Sequence, residues 1–183
     1  MNARSNAIEG IAPPDIASGF DALFHTHHAR ITRVIARVIR DPGRAEEIAV
    51  DVFWKLWRKP KAQNDRAGGW LYRTAVRQSL NELRRQLRAS RREGLTADYR
   101  KPPDPEQVRV AAEEQEHVRT VLAMIKQQQA EILLLRSSGL SYEELAAALE
   151  LNPASVGTLL NRAQQAFRKE YVQRYGDHAD AQR

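Results

Sequence analysis

LSYEELAAALELNPASVGTLLNRA, running from Leu140 to Ala163, is the stretch whose reading decides the fold. Ser141 and Glu144 stand in the S-x-x-E relation, in which each side chain satisfies the other residue's backbone N–H at a helix start. Tyr142, Leu145, Ala146 and Leu149 then recur at helical spacing and define one buried face. Glu150-Leu151 make a turn. Asn152 is a side-chain cap for a second helix, and Pro153 takes its first position, where a missing N–H removes no bond. Val156, Leu159, Leu160, Ala163 and Phe167 give that helix its own apolar stripe. Ser155, Thr158, Asn161, Arg162 and Gln165 lie away from the stripe on a helical wheel. Short hydrogen-bonding side chains with one arginine suit a helix set into a DNA major groove. A solvated face on an ordinary helical hairpin has the same pattern in isolation. The small Ala146, the short turn and the basic chain that precedes them favour a helix-turn-helix.

That basic chain is the second clue. The 183 residues carry a formal charge of +6, which favours a polyanionic partner, either nucleic acid or an anionic membrane surface. The charge is uneven: residues 15–92 hold 17 Lys/Arg against 8 Asp/Glu, and residues 93–183 hold 11 against 14. Such a split suggests two parts with different tasks. There is no cysteine, so neither a disulfide framework nor a thiolate metal site is available. No apolar run is long enough to cross a bilayer, and MNARSNAIEGIAPP lacks a signal-peptide core. A soluble, cytoplasmic protein with no membrane insertion is expected.

Upstream, almost every periodic segment is helical. Phe20, Leu23, Phe24, His27, Ile31, Val34, Ile35 and Val38 share one face. Asp41-Pro42-Gly43 breaks the chain. Ala45, Ile48, Ala49, Val52, Phe53, Leu56 and Trp57 form the stripe of a second helix, which stops near Pro60. KPKAQNDRAGG reads as a loop. A third helix starts near Trp70 and buries Tyr72, Ala75, Val76, Ser79, Leu80 and Leu83. Residues 93–110, with Pro102, Pro103 and Pro105 among charges, read as a flexible linker. Val118, Val121, Leu122 and Ile125 begin a second helical block, and the tail beyond Tyr171 reads as frayed. The expected class is all-α: two small helical domains, 15–92 and 111–175, joined by the linker 93–110.

In WLYRTAVRQSLNELRRQLRASRR, Arg73, Arg77, Arg84, Arg88 and Arg91 fall within about 60° of one another, with Asn81 at the edge of the stripe. Five arginines on one face repel each other unless anions such as phosphates neutralise them. Trp70, near the start of this helix, could stack on unpaired bases. Tyr72 lies on the apolar stripe and is assigned to the core.

Taken together, these segments resemble the extracytoplasmic-function sigma factors of bacterial RNA polymerase, over about residues 18–92 and 111–171. RDPGRAEEIAVDVFWKLWR is similar to the segment that grips the polymerase clamp. GGWLYRTAVRQSLNELRR is similar to the minus-ten recognition and melting segment, and ILLLRSSGLSYEELAAALELNPASVGTLLNRAQQAF to the minus-thirty-five helix-turn-helix. The resemblance implies polymerase contacts at Glu46, Glu47, Asp51, Phe53 and Trp57, with the acids facing the clamp and the aromatics partly in the core. It implies base capture at Asn64, Asp65 and Arg66, and minus-ten strand contacts at Trp70, Arg73, Arg77, Asn81 and Arg84. It implies minus-thirty-five contacts at Ser155, Thr158, Asn161, Arg162 and Gln165. The implied partners are core RNA polymerase, promoter DNA and an anti-sigma protein; no cofactor, metal or small-molecule substrate is implied.

The sequence departs from the family pattern at several of these positions. Val50 stands in place of a usual glutamine, Val76-Arg77 in place of Arg-Asn, and Asn81 in place of aspartate. Glu150 replaces the turn glycine, and Gly157 and Leu159 replace Lys and Arg. The recognition helix is therefore poor in phosphate-binding charge, so modest minus-thirty-five affinity is expected, with most sequence-independent binding on the first domain.

Three rivals set the tests. A helix-turn-helix regulator working without polymerase leaves the acidic-aromatic helix Glu46–Trp57 without a role. An enzyme finds no support in zinc-protease, phosphate-loop or nucleophile-elbow motifs, and His25, His27 and His28 lack a paired acid ligand at a suitable spacing. A pure interaction bundle does not account for the arginine stripe.

Overall fold

The computed structural model describes residues 14–92 and 106–176, and all regular structure among them is helical. The expected linker falls largely on residues 93–105, outside the described residues. The order is α1 (Pro14–Ile39), α2 (Pro42–Trp57), a single 3-10 turn (Pro60–Ala62), α3 (Ala67–Arg92), α4 (Glu106–Met124), α5 (Gln127–Ser137), α6 (Tyr142–Leu149) and α7 (Pro153–Tyr175).

Local chemistry sets the breaks. Arg40 takes a left-handed conformation at φ 55° and ends α1. Asp41 then caps α2, its carboxylate accepting from the Arg44 N–H at 2.9 Å, with Pro42 in the first turn. At α6 the capping box is complete: the Ser141 hydroxyl accepts from the Glu144 N–H at 3.2 Å, and the Glu144 carboxylate accepts from the Ser141 N–H at 2.6 Å. Asn152 caps α7 through the Ala154 N–H at 3.0 Å.

Helices α1, α2 and α3 pack pairwise around Ile31, Ile35, Val52, Phe53, Leu56, Leu71, Leu80 and Leu83, all essentially sealed from solvent. Helices α4 to α7 bury Val121, Ile132, Leu135, Leu145, Val156 and Ala163. The two units touch: α3 lies against α4, α5 and α6.

Two expectations are corrected. Tyr142 is not part of the buried face; it is 44% exposed and lies beneath the Arg136 guanidinium at 5.5 Å. Its position in the first turn of α6 carries the ring past the core edge, where a cation holds it. The chain does not fray at Tyr171 either. Tyr171 and Tyr175, one helical turn apart, both meet His117 of α4, with the Tyr175 ring stacked on it at 3.7 Å, so α7 continues to Tyr175.

Candidate nucleic-acid interface

On α7, Val156, Leu160 and Ala163 point inward, and Leu159 and Phe167 pack partly against the core. Ser155, Thr158, Asn161, Arg162 and Gln165 are all exposed on the opposite side, continued by Arg168 and Lys169. This is an uninterrupted polar face, and among the described residues its one early arginine, Arg162, makes no ion pair or side-chain hydrogen bond. The turn before it is held in shape by Glu150, which adopts φ 56° and ψ 44°. Only glycine takes that region freely, so a glutamate there needs a compensating interaction.

That interaction comes from α3. Arg73 Nη2 donates to the Glu150 carboxylate at 2.8 Å and holds that carboxyl below the usual carboxylate range. Arg77 Nε donates at 2.8 Å to Glu131 of α5, whose side chain is 1% exposed and also accepts from Gln127 at 2.8 Å. Arg84 donates to the carbonyls of Ala123 at 2.9 Å and Ile125 at 3.4 Å, and to the side chain of Gln127. The sequence places these three arginines on one face, and the structure gives each a partner in the other unit. Asn81, Arg88 and Arg91 are on or beside the same stripe and exposed. Trp70 is half-buried, with the Lys59 ammonium 5.7 Å from its ring centre. Tyr72 is buried beside His27 and Arg30, and burial raises its phenol above the ordinary value.

The loop before α3 is a turn built by its own side chains. Asn64 accepts from the Arg66 N–H at 2.9 Å and donates to the Lys61 carbonyl at 3.0 Å. Gln63 donates to the carbonyls of Leu56 and Trp57 at 3.1 Å each, covering the end of α2. Asn64, Asp65 and Arg66 are exposed and edge an open cavity of about 730 Å³. Its far wall is Leu140, Glu144 and Ala147 of the second unit.

On α2 the expected polymerase contacts separate. Glu46, Glu47 and Asp51 are exposed, each with a basic neighbour: His28 at 3.2 Å, Arg44 at 2.6 Å and Lys55 at 2.7 Å respectively. Phe53 is not available to a partner. It is 2% exposed and packs edge-on against Phe24 at 5.0 Å and Phe20 at 6.2 Å. Trp57 is half-buried, edge-on to Phe20 at 5.0 Å. Trp54, overlooked in the sequence, is 57% exposed beside Val50 at 52%. Both fall off the core stripe at i and i+4, a signal already present in the spacing. An exposed apolar pair rimmed by charges has the anatomy of a protein contact.

The histidines do not converge. His28 stacks on Phe24 at 4.4 Å, and burial followed by the Arg30 charge lowers the His27 pKa. Among the described residues no group of three metal-ligating side chains comes together, and no helix is long and apolar enough to cross a membrane.

Fold and surfaces thus define an all-α, two-unit protein with a helix-turn-helix in its second unit. Residues 23–89 match Sigma-70 region 2, and residues 115–166 match Sigma-70, region 4. The chain belongs to the sigma-70 family of RNA polymerase sigma factors, as an extracytoplasmic-function member. It is 29% identical over 160 residues to the ECF RNA polymerase sigma factor SigK of Mycolicibacterium vanbaalenii, covering 84% of this chain and 82% of that one. It is 31% identical over 160 residues to the ECF RNA polymerase sigma factor SigE of Mycolicibacterium smegmatis, covering 81% and 60%. The fold is similar to that of CnrH, solved in complex with the cytosolic domain of CnrY, with TM-score 0.51, 20% identity and coverage of 85% and 91%.

Proposed function

We propose that this chain directs bacterial core RNA polymerase to specific promoters and assists their opening, working in the cytoplasm. The observation that carries the reading is the order of three surfaces on one chain: the Val50–Trp54 face of α2, the arginine stripe of α3 and the polar face of α7. A regulator acting without polymerase has no use for the first. In this reading α7 enters the major groove near minus thirty-five, and α3 with the Asn64–Arg66 loop holds the displaced minus-ten strand. Unpairing costs a few kcal/mol per flipped base, which the arginine–phosphate contacts must offset. Polymerase supplies the chemistry; no residue of this chain is assigned a catalytic part.

Two modules on one chain raise each other's effective concentration at DNA, so neither needs high affinity alone. Val50 and Trp54, with Glu47 and Asp51 beside them, make the polymerase contact in place of Phe53. A protein partner belongs to the same proposal, since the structurally similar CnrH was solved in complex with the cytosolic domain of CnrY; an anti-sigma partner of this chain would co-purify with it from its host.

The test is transcription in vitro with sigma-free core polymerase and a library of promoter fragments. Promoter-specific transcripts that require the chain support the reading. Duplex binding without transcripts supports the plain regulator instead.

A further inference from the structure

We propose that the cavity bordered by α1, α3 and α6 is a binding site for a small organic anion, a carboxylate or phosphate monoester carried on an apolar body.

The cavity measures about 730 Å³, within the range of small-molecule sites. Three polar side chains share one of its walls. His27 and Arg30 stand one turn apart on α1, and Tyr72 of α3 lies against both. The His27 ring meets Tyr72 edge-on at 5.9 Å, and the Arg30 guanidinium is 5.5 Å from the Tyr72 ring centre. Tyr72 is 5% exposed, and its hydroxyl has no hydrogen-bond partner. Arg30 and Glu144, on facing walls, both act on that hydroxyl, which places it toward the space between them. A buried hydroxyl without a partner is uncommon, and a ligand oxygen would satisfy it.

An accounting of the other polar groups gives the ligand its sign. Gln63 donates to the carbonyls of Leu56 and Trp57. Asn64 is engaged within its own turn, by the Lys61 carbonyl and the Arg66 N–H. The Glu144 carboxylate accepts from the Ser141 N–H. Arg30, by contrast, reaches the Ser138 carbonyl at 3.3 Å and meets no carboxylate among the described residues. Burial, and then the Arg30 charge, lower the His27 pKa, so its ring is neutral near neutral pH and can hydrogen-bond without adding charge. Asp65 is an exposed acid on the rim, where water and salt screen it. A guanidinium and a phenol O–H thus remain as donors lacking acceptors. An anionic group rich in acceptor oxygens answers both. Leu23, Pro60, Leu140 and Ala147 complete the lining and call for an apolar body behind that group. The donors belong to α1 and α3, not to the Asn64–Arg66 loop assigned to base capture.

The test is thermal unfolding of the full chain with benzoate, phenyl phosphate, inorganic phosphate or benzyl alcohol, with Kd values from calorimetric titration. A molecule bound by the folded chain alone raises its melting temperature. At least one of the two aromatic anions should do so, with saturation. Inorganic phosphate lacks the apolar body and benzyl alcohol lacks the charge, so each should bind about tenfold more weakly or worse. Tyr72→Phe removes the unpartnered hydroxyl and keeps the ring, so the free chain should melt no lower while Kd for the aromatic anion rises about tenfold. Gly19→Leu fills the cavity from α1, where an added Cβ meets nothing within 4 Å, and should abolish binding in a folded chain. The proposal is overturned if neither aromatic anion binds, or if inorganic phosphate or benzyl alcohol binds as tightly. It is overturned equally if either variant binds undiminished, which would place the anion on an arginine surface elsewhere. Binding by the free chain needs neither polymerase nor promoter, so this test and the transcription test can fail separately.

Discussion

Helices α3 and α7 are similar in length and both are expected to touch DNA, yet they present themselves in opposite ways. The polar face of α7 is open, made of short side chains and a single early arginine, and it needs no partner to be soluble. The stripe on α3 carries five arginines, and three of them are bound into the neighbouring unit. A dense row of like charges is stable in a free protein only if something answers it. Here carboxylates and carbonyls of the same chain do so before any nucleic acid arrives. The helix with the stronger electrostatic claim on DNA is thus the one with intramolecular partners.

The largest effect that follows from the proposed function is on the complex with core polymerase. Replacing Arg77 and Arg84 together by alanine removes two charge-assisted contacts, each contributing about 1.5–3 kcal/mol. Promoter opening, read as open-complex formation at one promoter, should fall about a hundredfold or more. Arg162→Ala should weaken duplex binding only about tenfold, in line with one major-groove contact. If Arg162→Ala proves the costlier change, the division of labour between the two helices is the reverse of that argued here.

A third surface falls between these in size. Trp54→Ala should weaken binding to core polymerase about thirtyfold, as truncation of an aromatic anchor does, and leave duplex binding by the free chain unchanged. Phe53→Ala should instead lower the melting temperature strongly, since loss of a buried phenylalanine costs about 3–5 kcal/mol. Equal effects of the two variants on folding would remove the distinction between them.

Much of this architecture was legible in the residues. The S-x-x-E box, Asn152-Pro153 and the breaks at Asp41-Pro42 gave the helix boundaries, because capping chemistry is local. The stripes on α2 and α3 gave the core for the same reason. What the sequence could not supply was pairing between distant residues. Glu131 stands just before the apolar run Ile132–Leu135, and Glu150 falls in the turn where the family has glycine; their partners lie 54 and 77 positions away. Phe53 and Trp54 illustrate a subtler limit. Adjacent aromatics point about 100° apart on a helix, so a motif that names the segment does not say which ring faces out. Tyr171 and Tyr175 look like part of a polar tail until His117 is placed beside them.

The smallest predicted effect separates the two kinds of ion pair on α3, by acid. Glu82 is nearly buried on the side of α3 facing α2, and its carboxyl is held below the usual range by Arg85 at 2.7 Å and then Arg44 at 3.4 Å, against the opposing pull of burial. A folded-state pKa below the unfolded one stabilises the protein above the unfolded value. That contribution disappears as pH falls through the folded value. Glu82→Gln should therefore flatten the acid side of the stability curve by under about 1 kcal/mol, because Arg85 is largely solvated. Glu150 is depressed in the same direction by Arg73, with Arg77 and Arg66 adding to it, but its pair joins the two units. The same acidification should then lengthen the distance between spin labels placed on α1 and α5 of this cysteine-free chain before the protein unfolds, and Glu150→Gln should abolish that early step while Glu82→Gln leaves it in place. Simultaneous loss of both signals in the wild-type chain would mean that the units separate only by unfolding, and the contrast between a partnered α3 and an open α7 would then describe a rigid body.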